Sequence, residues 1–317
     1  MTSGVAAHPR VVLVTGASSG IGRATALLAS AAHDHVVLVA REESTLVDVE
    51  KECLTAGAAS TLVVTADVGD DEDVARCVRE ALAVTGVLDV VVNAAGVVAY
   101  GRTEDVPAEV FDGVLRTNVI GSVNLARHVV PQLRRQERGA FVLVGSVIGH
   151  IAVPGMSPYV VSKWGVRALA RQLQLENRDR PDVHVVHAAP GGVDPPIYAQ
   201  AGNYSGVVGR PPPPVASPEK VARQILRLVD RPRPRAQLAI ANNLMRFGFN
   251  GLPRAFDLLV GPLFTVAAKD RTTPVAAGPG NVLESVPAGN RLHGDQGNPL
   301  LGVVRNLADV TRSRRKR

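Results

Sequence analysis

The chain has 317 residues, 46% of them hydrophobic but only 3% aromatic, and carries a formal charge of +6. That length suits one large α/β domain plus an extension, with a core of Val, Leu, Ala and Ile rather than aromatic rings. Much of the charge excess sits in Arg312, Arg314, Arg315, Lys316 and Arg317, so the body is close to neutral; a general nucleic-acid surface is not supported, and a nucleic-acid binder would rest on that tail alone.

The first two-thirds alternate short Val-rich runs with longer helical patterns. Strands are predicted at Val11–Thr15, His35–Ala40, Ser60–Thr65, Leu88–Asn93, Ala140–Gly145 and Val183–His187. Helices are predicted at Ile21–Ala32, Glu43–Ala56, Asp71–Thr85, Val110–Gln136 and Pro218–Asp230, with a seventh strand at Ala236–Ala241. Alternating βαβ units with right-handed crossovers imply an α/β fold, a doubly wound parallel sheet of Rossmann type with helices on both faces. The expected division is an N-terminal tail over 1–9, the main domain over 10–242 and an apolar extension over 243–272. A disordered basic tail is expected over 273–317, its Gly278–Pro299 stretch reading as a linker. Cys53 and Cys77 suggest no disulfide framework and suit a reducing cytoplasm. Met1–Arg10 has no apolar core of signal-peptide length, and no run reaches the roughly 18 apolar residues that span a bilayer. No cluster of metal-ligating residues stands out in the sequence.

The first strand runs into Thr15-Gly16-Ala17-Ser18-Ser19-Gly20-Ile21-Gly22, and a helix follows. A strand, glycine turn and helix in that order offer free N–H groups and a positive dipole end to a phosphate. Further along come Asp67-Val68, Asn93-Ala94-Ala95-Gly96, Asn118, Ser146, Tyr159, Lys163 and Pro190-Gly191, each near a strand end or on a helix. Taken together, from about Arg10 to Asp230, these motifs resemble the short-chain dehydrogenase/reductase superfamily in its classical subgroup. The resemblance implies a nicotinamide dinucleotide held by residues 15, 16 and 18–22 of the glycine turn, and by Asp67 and Val68 at the adenine. It further implies contacts from Asn93, Ala94, Gly96, Tyr159, Lys163, Pro190, Gly191 and Val193. The second strand ends in Ala40-Arg41 with no carboxylate at its tip. An acid there would favour NAD, whereas Arg41 can pair with a 2′-phosphate, so NADP(H) is expected over NAD(H).

Tyr159 and Lys163 lie four residues apart, on one face of a helix. A neighbouring ammonium lowers a phenol pKa, so the spacing fits a proton-transfer pair. The resemblance implies that Ser146 polarises the substrate oxygen, that Lys163 holds the nicotinamide ribose, and that Asn118 anchors a water in a proton relay. The expected activity is an oxidoreductase that interconverts a secondary alcohol and a ketone, or an aldehyde. A non-redox lyase or epimerase on the same fold, or a cofactor-binding regulator without turnover, is the alternative. Where the family often has Thr, this chain has Pro195, which offers neither hydroxyl nor N–H.

Residues 192–217 are expected to form a substrate lid. With Val97–Tyr100 and Val147–Met156 mostly apolar, a hydrophobic substrate is expected, and His150 is read as an ordinary loop residue. Leu244–Phe264 is apolar and aromatic, with Arg246 and Arg254 interspersed. It reads as packing against the domain or a subunit partner, or, with the basic tail, as a peripheral membrane contact. Pro253 and Pro262 argue against one long helix there. Homodimers or homotetramers are implied by the resemblance alone.

Overall fold

The computed structural model describes residues 8–294, 297, 301–304 and 306, so the basic residues at 312–317 lie outside the described residues. In chain order the elements begin with β1 (Val11–Thr15), α1 (Gly20–Ala31), β2 (His35–Ala40), α2 (Glu43–Ala56), β3 (Ser60–Thr65) and α3 (Asp71–Thr85). Next are β4 (Val90–Asn93), β5 (Ala99–Tyr100), α4 (Ala108–Leu115), a π-helical turn (Arg116–Ile120), α5 (Gly121–Arg135) and β6 (Gly139–Val144). Then come α6 (Ser157–Glu176), β7 (Val183–Ala189), β8 (Gly192–Val193), β9 (Gly202–Asn203), β10 (Val207–Gly209) and β11 (Val215–Ala216). The chain continues through α7 (Pro218–Asp230), β12 (Arg235–Gln237), α8 (Ile240–Gly251), α9 (Pro253–Ala267) and β13 (Lys269–Pro274).

Seven strands form one sheet in the order β12-β7-β6-β4-β1-β2-β3. Every pairing in it is parallel. The sheet is buried on both faces because its strands are continuous aliphatic runs, such as Val11 to Val14, none of it exposed. On one face Leu46, Val49, Val221 and Ile225 of α2 and α7 pack with α1 against the sheet. On the other face Val74, Leu125, Val129, Leu133 and Val166 of α3, α5 and α6 do the same. Helix α3 begins where the Asp70 carboxylate accepts hydrogen bonds from the Glu72 and Asp73 N–H groups, as an N-cap should. The order reverses between β1 and β4, and in open parallel sheets that switch point is where ligands bind.

Several sequence expectations are corrected. The helix expected over Val110–Gln136 is interrupted by the π-helical turn, a single wide turn that apolar periodicity does not reveal. The expected strand Ala236–Ala241 ends at Gln237, and its last two residues open α8. Pro253 separates α8 from α9 as expected, but α9 runs through Pro262. The largest correction concerns the stretch read as a linker. Lys269–Pro274 pairs with β10, and residues 275–294 fold back over the domain. Val282, 3% exposed, inserts among Val97, Ala99, Val106, Val110 and Val114. One apolar anchor in a Gly-, Pro- and Asn-rich stretch is too weak a local signal for docking at that distance along the chain.

Two histidines are buried beside the carboxyl end of the sheet. His187 on β7 and His150 after β6 stand edge to face, 5.6 Å between ring centroids. Gln237 Nε2 lies 3.0 Å from His150 Nε2 and donates to it when that nitrogen is unprotonated. Burial, with Arg167 and Arg246 adding repulsion, pushes His150 down to about 4. Burial and then His150 push His187 down to about 3. Below pH 6.5 the unfolded chain takes up protons on these rings that the folded chain refuses, so stability falls as pH falls towards 4. Each ring contributes a slope of at most about 1.4 kcal/mol per pH unit. Urea denaturation at pH 7, 6 and 5 is expected to show a smaller loss in His150→Gln than in the unmodified chain; equal losses would rule out a contribution from His150.

Candidate active site

A cleft opens at the switch point, about 930 Å³ with its open mouth included. Gly16, Ser18, Ser19, Gly20, Ile21 and Gly22 line one side, and Arg41, Asp67, Val68, Ala94 and Gly96 line the ends of β2, β3 and β4. The glycines are required by the backbone. A Cβ at Gly16 would lie 2.8 Å from the Ala95 nitrogen, and one at Gly22 would lie 2.1 Å from the Gly16 oxygen. The turn is thus drawn tight against the loop after β4, which leaves the N-terminus of α1 facing the cleft.

Thr15 and Asn93 are buried behind the turn. Thr15 Oγ1 donates to Asn93 Oδ1 at 2.7 Å, and Asn93 Nδ2 donates to Ser122 Oγ at 2.9 Å. Ser122 Oγ in turn donates to the Asn118 carbonyl at 2.6 Å. Asn118 sits in the π-helical turn, 1% exposed. Its Oδ1 accepts from Val97 N, and its Nδ2 donates to Val97 O and Ser162 Oγ, all at 2.9 Å. The Asn118 side-chain amide thus clamps the loop after β4 to α6.

Helix α6 brings Tyr159 and Lys163 to the same side. Lys163 is 6% exposed, its Nζ lies 5.6 Å from the Tyr159 ring centroid, and it donates to Val144 O at 3.0 Å. Ser146 follows β6, and its Oγ accepts from Ile148 N at 3.2 Å. Burial pushes the Tyr159 phenol up to about 12, with the nearby Ser146 hydroxyl opposing it. Burial pulls Lys163 down to about 8. Desolvation is the largest influence on the phenol and favours its neutral form. A Cβ at Gly96 would lie 3.3 Å from Asn118 Oδ1 and 3.6 Å from Lys163 Nζ, so this glycine keeps the cleft open to both.

Pro190, Gly191 and Val193 leave the end of β7. Pro190 O accepts from Val147 N at 2.9 Å, which ties that loop to the one carrying Ser146. Val193 is buried and pairs with β11. Pro195 lines the cleft, and a Cβ at Gly20 would lie 2.8 Å from it. Around Tyr159 gathers an apolar cluster of Val98, Tyr100, Met156, Ile148, Val153, Ile197, Tyr198 and Phe264. His150 is neutral and bonded to Gln237, consistent with a packing residue.

Sequence reasoning missed one wall of the cleft. Gln200, Asn281, Ser285, Val286 and Asn290 line it opposite the glycine turn. Arg41 does not point into open solvent: its guanidinium donates to Asn281 O at 2.7 Å and Val282 O at 3.5 Å. The only sequence signal was the Val282-Leu283 pair inside a stretch otherwise poor in apolar residues.

Residues 10–204 match the family model described as short chain dehydrogenase. The chain is similar to dehydrogenase/reductase SDR family member 7B of Xenopus laevis, 31% identical over 242 residues, 74% of this chain and 75% of that one. It is similar to 3-ketodihydrosphingosine reductase of Bos taurus, 31% identical over 68% of this chain and 67% of that one. Among solved structures it resembles an alcohol dehydrogenase from the archaeon Thermococcus sibiricus complexed with 5-hydroxy-NADP. The TM-score there is 0.61 at 26% identity, covering 72% of this chain and 95% of the other. With its seven-stranded parallel sheet and this match, the chain belongs to the short-chain dehydrogenase/reductase family, NAD(P)-dependent oxidoreductases acting on CH–OH or carbonyl groups.

Proposed function

We propose that the protein interconverts a hydrophobic secondary alcohol and its ketone, or an aldehyde, using NADP(H), with Tyr159 as the proton-transferring group. The observation that carries this reading is Tyr159, near Ser146 and beside Lys163, set in an apolar cluster next to the dinucleotide cleft. A nicotinamide cofactor, when bound, supplies or accepts the hydride. In the reducing direction the Ser146 hydroxyl donates a hydrogen bond to the carbonyl oxygen. Tyr159 gives its phenolic proton to that oxygen as the carbonyl carbon gains hydride. A neutral phenol is the form this step requires, and burial favours it. Lys163 positions the ribose and tunes the phenol, and Asn118 braces the loop and helix around it. The apolar surroundings favour a lipid-like or ring-shaped substrate, and one similar protein carries the name 3-ketodihydrosphingosine reductase.

The NADP(H) preference rests on Arg41 in the cleft at the end of β2, where a carboxylate would repel a 2′-phosphate. A similar structure holds an NADP analogue. A second reading concerns location. On α8 and α9 Ile240, Leu244, Phe247, Leu258 and Leu263 are 92%, 73%, 64%, 75% and 61% exposed, and no residue of α9 is buried. Among the described residues no helix is long and apolar enough to cross a membrane. An apolar hairpin with Arg246 and Arg254 fits the interfacial plane of an anionic bilayer. Phe264 of the same hairpin packs in the cluster around Tyr159, which would place the substrate cleft near the lipid.

Tyr159→Phe is expected to lower turnover of a carbonyl panel by about 10²- to 10⁴-fold while NADPH still binds; undiminished turnover sinks the assignment. Arg41→Ala is expected to weaken NADPH binding by roughly 10- to 100-fold, the worth of a charge-assisted hydrogen bond, and to leave NADH nearly unchanged. Equal effects on both cofactors, read by fluorescence titration, would remove Arg41 from the selectivity argument. Flotation with anionic liposomes is expected to carry the full chain upward and to leave a Leu244→Asp, Leu258→Asp, Leu263→Asp variant at the bottom. If the unmodified chain stays at the bottom as well, the membrane reading is wrong.

A further inference from the structure

Residues 278–294 cross the mouth of the dinucleotide cleft from one lip to the other. At the adenine end Arg41 holds the carbonyls of Asn281 and Val282. At the pyrophosphate end the Gly20 N–H of the glycine turn donates to Arg291 O at 3.0 Å. The two groups that grip opposite ends of the cleft are therefore both bonded to one segment of chain.

That segment is fastened at both ends. Asn203 N donates to Gly278 O at 2.8 Å and Asn281 N to Gln200 O at 2.8 Å, just before Val282 enters its apolar socket. Gly294 N donates to Asp194 O at 2.9 Å, and His293 Nε2 lies 2.7 Å from Glu219 Oε1. Between these anchors Leu283, Glu284 and Pro287 are exposed, while Asn281, Ser285 and Asn290 line the cleft. Asn290 is the inner fastening. Its Oδ1 accepts from Gln200 Nε2 at 3.0 Å and its Nδ2 donates to Thr45 Oγ1 at 3.3 Å. Asn281 Oδ1 is buried with no hydrogen-bond partner among the described residues. A buried amide oxygen in that state asks for a ligand donor, and the exocyclic amine or ribose hydroxyl of an adenosine is the chemistry that the cleft would bring to it.

We propose that residues 278–294 are a strap over the adenosine and pyrophosphate half of the cleft: Asn281 contributes a polar contact to the bound dinucleotide, and the strap opens for cofactor to enter or leave. This rests on the NADP(H) reading given above. Both lips being bonded to the strap, a dinucleotide cannot pass between them while those bonds stand. Exchange is set by how often the inner fastening at Asn290 lets go, and Arg41 is the joint shared by strap and 2′-phosphate.

The test is stopped-flow fluorescence of NADPH binding and of its displacement by excess NADP⁺. It compares the full chain, Asn290→Ala and a chain ending at residue 277, with circular dichroism checking each fold. Losing the two Asn290 hydrogen bonds is expected to raise both the association and the dissociation rate constants about ten-fold. The shortened chain is expected to exceed that in both. Asn281→Ala is expected to raise dissociation alone, because it removes a contact and not a fastening. NADPH binding by all chains at unchanged rates, or a rise in dissociation alone for Asn290→Ala, overturns the strap and leaves the cofactor reading standing. Failure of the full chain and of both strap variants to bind either NADPH or NADH overturns the cofactor reading and the strap with it.

Discussion

At the top of the sheet two stretches of main chain are pressed together more closely than any side chain permits. Gly16 lies against the backbone of Ala94 and Ala95 because β1 and β4 are neighbours at the point where the strand order reverses. From that contact a line of hydrogen bonds runs without a gap: Thr15 to Asn93, Asn93 to Ser122, Ser122 to Asn118, and Asn118 to Val97 and Ser162. Ser162 is one residue before Lys163 and three after Tyr159. The glycine turn and the helix that carries Tyr159 and Lys163 are therefore braced by one buried polar network, with every named member satisfied.

The surroundings of that pair are apolar, and this shifts both of its members. Tyr159 is pushed up to about 12 and Lys163 down to about 8 by the same cause, removal from water. Both shifts favour neutral forms. An i, i+4 spacing on a helix says that two groups share a face; it does not say whether water shares it too. Burial, which only the folded chain reveals, acts on both groups alongside their pairing.

The sheet, its flanking helices and the polar residues at its carboxyl end were legible because each rests on a local pattern. β1, β2, β3, α2, α3 and α7 begin and end where periodicity and turn residues place them. Residues 15–22, 93–96, 146, 159 and 163 stand out because their chemistry follows strand ends at fixed spacings. What was illegible depends on distant contacts. Residues 281–290 reach the cleft through a single buried valine and a set of main-chain carbonyls, and carbonyls are shared by every residue type. The passage of α9 through Pro262 is similarly invisible, because nothing local marks that proline as tolerated.

The π-helical turn at Arg116–Ile120 makes the chain there one residue longer than a regular helix would need. Each residue of an α-helix advances about 100° around its axis. Closing the turn into regular helix by losing one residue would swing α5 by that angle, carrying Leu125, Val129 and Leu133 away from the sheet and Ser122 away from Asn93. The segment is therefore intolerant of changes in length even where its side chains face water. In any lineage carrying this site, insertions and deletions should be confined to the loops and absent from the span between α4 and α5.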